Sequence, residues 1–161
     1  MDLVRYTEVP TPLGDLLATD RGDGLTSLSF ASQRHALEVG ADWQRDPGPF
    51  RQVAVDLEAY FAGERPDFAL PLDLRGTDLQ RQVWEVLRRC PHGVTTTYGE
   101  VARSVGRPTA ARAVAGAVGR NPVAIVVPCH RVIGADGSLT GYAAGLERKR
   151  RLLALEGALV A

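Results

Sequence analysis

One six-residue segment, Val127-Pro128-Cys129-His130-Arg131-Val132, has the residue types and spacing for covalent chemistry. A thiol attacks as its thiolate, and a free cysteine at neutral pH is mostly protonated. Adjacent His130 and Arg131 are expected to favour the thiolate and lower the pKa of Cys129. The apolar run Ala124-Ile125-Val126-Val127 predicts a short buried strand that would hold the cysteine at the mouth of a pocket. At this point two readings stay open: a reactive nucleophile, or a packed structural thiol, the commoner fate of a lone cysteine. The other cysteine, Cys90, reads as a buried structural thiol. Two cysteines cannot build a disulfide framework and fit a reducing cytosol. No Cys/His cluster has zinc spacing, so no metal is expected. His35 is isolated and His92 lies in a turn, and both read as solvated.

These residues need a scaffold, and 161 residues supply one ordinary domain or two small ones. Apolar content of 45% and charged content of 24% are the balance of a globular protein in water. No run approaches the roughly 20 apolar residues of a membrane span. Met1-Asp2-Leu3-Val4-Arg5 lacks the basic start and apolar core of a signal peptide, so a cytoplasmic protein with no membrane partner is expected. The net charge of zero hides an asymmetry. Residues 1–76 hold 7 basic against 13 acidic residues, and residues 77–161 hold 12 against 6. A basic half joined to an acidic one is associated with nucleic-acid partners, although charges that are merely solvated give the same count.

The acidic half reads as a small α/β domain, residues 1–75. Strand-like runs at 3–9, 15–19 and 25–30 are separated by turn signals and suggest an antiparallel meander. Residues 42–49 read as loop. Val53, Leu57, Tyr60 and Phe61 form a helical stripe over 50–61, ended by Gly63, and 67–75 reads as an extended connection. The basic half, 76–161, is mainly helical. Thr77 or Asp78 could cap a helix running to about Cys90 with Val83, Val86 and Leu87 on one face. Thr97 with Glu100 has capping-box spacing for a helix ending at Gly106. A turn at 107–109 leads to a second helix over 110–118. Two short helices joined by a tight turn suggest a helix-turn-helix.

That second helix, Ala110-Ala111-Arg112-Ala113-Val114-Ala115-Gly116-Ala117-Val118-Gly119, is nearly all small residues around one long cation. Large polar side chains usually read base edges in the major groove. A small-residue helix could instead lie close to a shallow groove, with Arg112 free to enter the base stack. It could equally pack closely against a core, and both can hold on opposite faces. The Gly-rich loops at 134–138 and 141–145 let backbone N–H groups approach a ligand but lack P-loop order. A final helix over 146–156 carries Arg148, Lys149, Arg150 and Arg151, which read as a solvated face.

Residues 121–132, through the Cys129-His130-Arg131-Val132 core, resemble the active-site segment of the O6-alkylguanine-DNA alkyltransferases. The resemblance extends through Ile133-Gly134, Gly141-Tyr142, Leu146-Glu147-Arg148-Lys149 and Leu155-Glu156-Gly157, and upstream to Tyr98-Gly99-Glu100-Val101-Ala102 and Ala111-Arg112-Ala113-Val114. It spans most of 77–157. The first half is similar to the family only in length, strand-then-helix order and Tyr60-Phe61-Ala62-Gly63.

The resemblance implies an α/β N-terminal domain of ribonuclease-H-like type, an antiparallel sheet plus a helix, followed by a mainly helical winged helix-turn-helix domain. It implies a single-turnover methyltransferase that flips O6-alkylguanine, with O4-alkylthymine a second candidate, out of duplex DNA and moves the alkyl group irreversibly to its own Cys129. His130 would take the thiol proton through a water, Glu156 would orient the imidazole, and Asn121 would hold the turn. Arg112 would fill the gap left by the flipped nucleotide, on a surface with Ala111, Ala113 and Gly116. Tyr98 would help rotate the nucleotide and donate to the leaving guanine. Tyr142, Val132, Ala143 and Lys149 would line the pocket. Arg131 and Arg148 would be salt-bridge or phosphate partners. Neither metal nor organic cofactor is implied, and the partner would be double-stranded DNA bound by a monomer. The alternatives are a non-catalytic sensor of alkylated bases, which typically carries tryptophan at the cysteine position, and a cysteine hydrolase. A stand-alone repair protein is expected, since no four-cysteine zinc module is present.

Overall fold

Short runs bounded by Pro- and Gly-rich turns produce three strands near the N-terminus: β1 (Arg5–Val9), β2 (Leu16–Asp20) and β3 (Leu25–Phe30), the last two buried along most of their length. The computed structural model describes residues 3–33 and 36–158, so the reading of His35 lies outside the described residues. β2 pairs antiparallel with both neighbours, Val9 opposite Leu16 and Leu16 opposite Phe30. The meander is therefore present. It carries one strand more than expected, because Gln44–Arg45, read as loop, forms β4 and runs parallel to β1 in the order β3-β2-β1-β4. Two polar residues give no periodic signal; the pairing is backbone-driven, with Gln44 N donating to Val4 O and Asp46 N to Tyr6 O. Helix α1 (Arg51–Phe61) buries Val53, Leu57 and Tyr60, spaced along one face. Leu16, Leu28, Phe30 and Phe50 are fully buried with them, and the chain divides into compact units at Arg75/Gly76.

The second unit starts with α2 (Asp78–Arg88). Thr77 Oγ1 accepts from Gln80 N while Gln80 Oε1 accepts from Thr77 N, a complete capping box. Its buried face is Val83, Trp84 and Leu87; Val86 is only half-buried. The short strand β5 (Thr96–Thr97) leads directly into α3 (Tyr98–Ser104). Thr97 Oγ1 caps Glu100 N, but Glu100 bonds the hydroxyls of Thr96 and Thr97 rather than the cap N–H, so the expected capping box is half formed. Gly106, at φ +72°, ends that helical segment, and α4 (Ala111–Gly119) follows after the turn. β6 (Val132–Ile133) pairs parallel with β5, and α5 (Leu146–Leu155) closes the unit.

The reading of α4 as a helix packed closely on a core holds on one face, and the opposite face is exposed. Val114, Ala117 and Val118 are buried against the core, while Ala111, Arg112, Ala113 and Gly116 are exposed. A Cβ on Gly116 would meet nothing within 4 Å, so the fold itself does not require the small residue there. Trp84 Nε1 donates to Ala117 O at 2.9 Å and ties α2 to α4 inside the core. Trp84→Phe removes the donor and the pyrrole part of a fully buried ring, and we expect a loss of about 1–3 kcal/mol, read as a shift of the urea midpoint.

Candidate active site

Cys129 does not follow a strand. Residues 124–127, predicted as a strand, form a tight turn: Val126 N bonds Ala124 O at 2.8 Å and Val127 N bonds Val123 O at 3.0 Å. An apolar run reports burial, and residues 123–132 are indeed all buried, but it does not distinguish a strand from a wrapped turn. Ile125 pivots the turn at φ +70°, a conformation that costs a β-branched residue about 1–3 kcal/mol and persists only where the surroundings impose it. Asn121, just beyond α4, holds both ends. Its Oδ1 accepts from Val123 N at 3.0 Å, and its Nδ2 donates to Val127 O at 2.7 Å and to Cys129 Sγ at 3.0 Å. Cys129, His130 and Arg131 then make one turn of 3₁₀ helix. Successive residues of such a turn point about 120° apart, so the three side chains diverge.

That divergence corrects the expectation that the adjacent His130 and Arg131 lower the pKa of Cys129. Burial pushes the Cys129 thiol up from its ordinary value, opposed by the Asn121 hydrogen bond, the Lys149 charge and the Tyr142 hydroxyl. The resting group is a thiol. His130 and Arg131 instead converge on Glu156, which is buried at the end of α5. Oε1 of Glu156 accepts from Arg131 Nε at 2.7 Å and from Gly93 N at 3.3 Å, and Oε2 accepts from Arg131 Nη2 at 3.0 Å. His130 Nε2 lies 2.7 Å from Oε2. A carboxylate only accepts, so Nε2 carries the proton and Nδ1 the lone pair. Nδ1 is buried with no protein partner among the described residues. Burial holds the imidazole below its ordinary pKa against the pull of Glu156, helped by the Arg131 and Lys149 charges, which keeps it neutral. The site therefore pairs a neutral thiol with a neutral base.

Local sequence explains the position of Glu156. Gly157, at φ +76°, ends α5 with Gly157 N bonding Ala154 O and Ala158 N bonding Leu153 O, so Glu156 is the last helical cap. A carboxylate there opposes the helix dipole, and the Arg131 guanidinium offsets it. Arg131 also donates through Nη1 to Cys90 O at 2.6 Å. Gly93, at φ +82°, turns its N–H onto Glu156, and a Cβ there would sit 3.1 Å from Glu156 O. Cys90 is half-buried rather than buried, and its Sγ contacts Val94 O at 3.4 Å. His92 is half-buried, with Nδ1 shut away from solvent, rather than solvated.

Lys149 departs furthest from the reading of its charge run as a solvated face, and its burial is in keeping with the pocket position implied by the resemblance. Arg150 and Arg151 are exposed as expected and Arg148 is half-buried, but Lys149 is fully buried. Its Nζ donates to Val132 O at 2.5 Å and Thr140 O at 3.2 Å, and burial lowers its pKa to about 8. Tyr142 and Ala143 are half-buried on the loop between β6 and α5. Tyr98, at the start of α3, is half-buried with its hydroxyl 2.8 Å from Thr140 Oγ1. Thr140 was given no role by the sequence; a lone threonine in a Gly-rich loop carries no signal. Arg112 stands apart, exposed on the outer face of α4.

A family model described as 6-O-methylguanine DNA methyltransferase, DNA binding domain, matches residues 78–158, and one described as 6-O-methylguanine DNA methyltransferase, ribonuclease-like domain, matches residues 4–74. A methylated-DNA–protein-cysteine methyltransferase of Mycobacterium tuberculosis (strain ATCC 25618 / H37Rv) is 49% identical over 154 residues, covering 96% of this chain and 93% of its own. That of Methanosarcina acetivorans is 47% identical over 152 residues, covering 94% and 97%. The crystal structure of Mycobacterium tuberculosis OGT in complex with DNA superposes with a TM-score of 0.88 at 49% identity, over 96% of this chain and 93% of that one. The fold is that of a 6-O-methylguanine DNA methyltransferase, with a ribonuclease-like first domain and a DNA-binding second domain. The chain belongs to the methylated-DNA–protein-cysteine methyltransferases, the 6-O-methylguanine DNA methyltransferase family. No helix among the described residues is long and apolar enough to cross a membrane.

Proposed function

We propose that this protein repairs DNA by direct reversal, moving the alkyl group of O6-alkylguanine once and irreversibly to Cys129. The observation that carries this is a buried thiol gripped by Asn121 beside a neutral histidine with a free Nδ1 lone pair, all within the DNA-binding unit. The relatives named for transfer from methylated DNA to a protein cysteine support it.

The alkyl group lies inside the stacked duplex, so the target nucleotide is rotated out, at roughly a few kcal/mol. The exposed face of α4 with Ala111, Ala113 and Gly116 is smooth enough to lie close to the groove, and Arg112 is the side chain on it long enough to occupy the vacated stack. Tyr142, Ala143 and the carbonyl of Val132 line the guanine pocket. Lys149 donates to that carbonyl and fixes its direction. His130 Nδ1 takes the thiol proton through one water, and Glu156 holds the tautomer that makes this possible. Sulfur attacks the alkyl carbon as the carbon–O6 bond breaks. The electron pair goes to guanine, eased by a hydrogen bond from Tyr98 to ring nitrogen N3. On balance the alkyl group ends on sulfur and the thiol proton on guanine. The thioether has no nucleophile poised to remove it, so each molecule turns over once. All these groups lie in one unit of one chain, so a monomer suffices. Phosphate contacts dominate binding, which weakens with salt.

Intact-protein mass spectrometry after incubation with an O6-methylguanine duplex tests the reading. We expect a gain of one methyl group per molecule, mapped to the peptide carrying Cys129 and not to that carrying Cys90. Tight binding to the lesion with no mass gain would make the protein a lesion sensor instead. A parallel O4-methylthymine duplex decides whether the pocket takes the second base.

A further inference from the structure

The loop between β6 and α5 does more than wall the pocket. Thr140 sits in it with its carbonyl and its hydroxyl both engaged by site residues. Its carbonyl accepts from the buried Lys149 ammonium at 3.2 Å, which fixes its backbone. Its Oγ1 lies 2.8 Å from the Tyr98 hydroxyl. Tyr98 is fixed too: it follows β5 directly, and β5 pairs with β6 through Thr97 opposite Ile133, two residues beyond Arg131. The two hydroxyls are thus held together from both sides by elements anchored beside Cys129.

Each hydroxyl has one proton, and either can be the donor. If Tyr98 gives its proton to Thr140, it has none for a substrate. If Thr140 donates to the Tyr98 oxygen, the phenolic proton is free to point elsewhere, and a hydroxyl that accepts a hydrogen bond becomes a stronger donor in its turn. Only the second arrangement is compatible with Tyr98 donating to the departing base.

We propose that Thr140 is a positioning residue for the transfer step: its hydroxyl donates to Tyr98 and thereby aims the Tyr98 proton at the leaving guanine. This rests on the donor role assigned to Tyr98 above. It adds a residue that acts through Tyr98 without touching the reacting atoms.

Thr140→Val retains shape and leaves the backbone carbonyl on Lys149, so it removes the hydroxyl alone. Thr140→Ser restores a hydroxyl. Single-turnover transfer rates at saturating O6-methylguanine duplex, with duplex affinity and thermal midpoint as controls, would be measured for both, for Tyr98→Phe, and for the Thr140→Val/Tyr98→Phe double variant. We expect Thr140→Val to slow transfer roughly tenfold with affinity unchanged, Thr140→Ser to recover most of the rate, and Thr140→Val to add nothing in the Tyr98→Phe background. Equal slowing in both backgrounds would overturn the proposal, because the effect would not pass through the Tyr98 hydroxyl. So would a wild-type rate for Thr140→Val when Tyr98→Phe is slow, and in that case the Tyr98 reading stands. A wild-type rate for Tyr98→Phe itself would remove the Tyr98 reading and this one with it.

Discussion

Glu156→Gln is expected to cut the single-turnover transfer rate by about 10²- to 10⁴-fold and to destabilise the protein by about 3–5 kcal/mol. Both effects come from the same geometry. The carboxylate accepts four hydrogen bonds, two from Arg131, one from Gly93 N and one from His130 Nε2. A glutamine keeps one oxygen and presents an NH₂ where the other was. Because Arg131 donates to both oxygens, the NH₂ meets an Arg131 donor in either orientation, and the buried guanidinium loses its counter-charge. If the NH₂ replaces Oε2 it also faces His130, and the imidazole must turn an acceptor toward it, which moves the proton to Nδ1 and removes the lone pair proposed as the base. Stopped-flow transfer and urea denaturation read the two effects separately. They should also separate genetically. Adding Arg131→Met to Glu156→Gln removes the uncompensated charge and should recover part of the stability, while the rate stays low because the histidine tautomer is still unrestrained. Recovery of the rate together with stability would mean that Glu156 acts only as a structural counter-ion.

The residues that do chemistry were easier to read than the geometry that connects them. Cys129 and His130 stand in a segment whose residue types demand explanation, whereas Asn121 and Glu156 enter only through the family resemblance; the structure joins Asn121 to Cys129 and Glu156 to His130. Capping at Thr77, the α1 stripe and the two-faced α4 were legible because each follows from local periodicity or a local hydrogen bond. What failed to read was long-range or opposite in sign to a local rule. The 124–127 run is as apolar as a core strand, and only the Asn121 amide, reaching across to Val127 and Cys129, reveals it as a turn. β4 and the β5–β6 ladder are two-residue pairings with no pattern of their own. Trp84 was overlooked among the apolar positions of α2, yet its indole N–H is what joins α2 to α4. The Arg131 charge looks from sequence like a thiolate partner and is in fact committed to Glu156 and Cys90 O. Adjacency in sequence places side chains on different sides of a tight turn.

Lys149 is the case where the reading of a charge run and the structure disagree most, and the disagreement is measurable. A cation among three arginines on an amphipathic helix reads as solvated; here it is the one that turns inward and lowers the cost of a thiolate at Cys129. Lys149→Met fills similar volume without charge. It leaves Val132 O and Thr140 O without this donor and the thiol without the buried cation that favours its ionisation, so transfer should slow by about 10- to 100-fold, the size of a partly screened charge interaction. Stability should carry a separate signature with a definite sign. The folded pKa of about 8 lies below the ordinary lysine value of 10.5, so the native state releases this proton first. Below about pH 8 both states are protonated and the penalty for burying the ammonium is fully present. Between about 8 and 10.5 the unfolded chain holds more protons, and stability rises with pH. Wild type should therefore gain about 1 kcal/mol on Lys149→Met between pH 7 and pH 9. Both cysteine thiols are raised from 9.0, so as pH approaches 9 their earlier ionisation in the unfolded chain acts the other way, but equally in the two proteins, and it largely cancels in the difference between them. Parallel curves for the two proteins would mean that Lys149 is not carrying a buried charge, and the slower transfer would then have to come from the two stranded carbonyls alone.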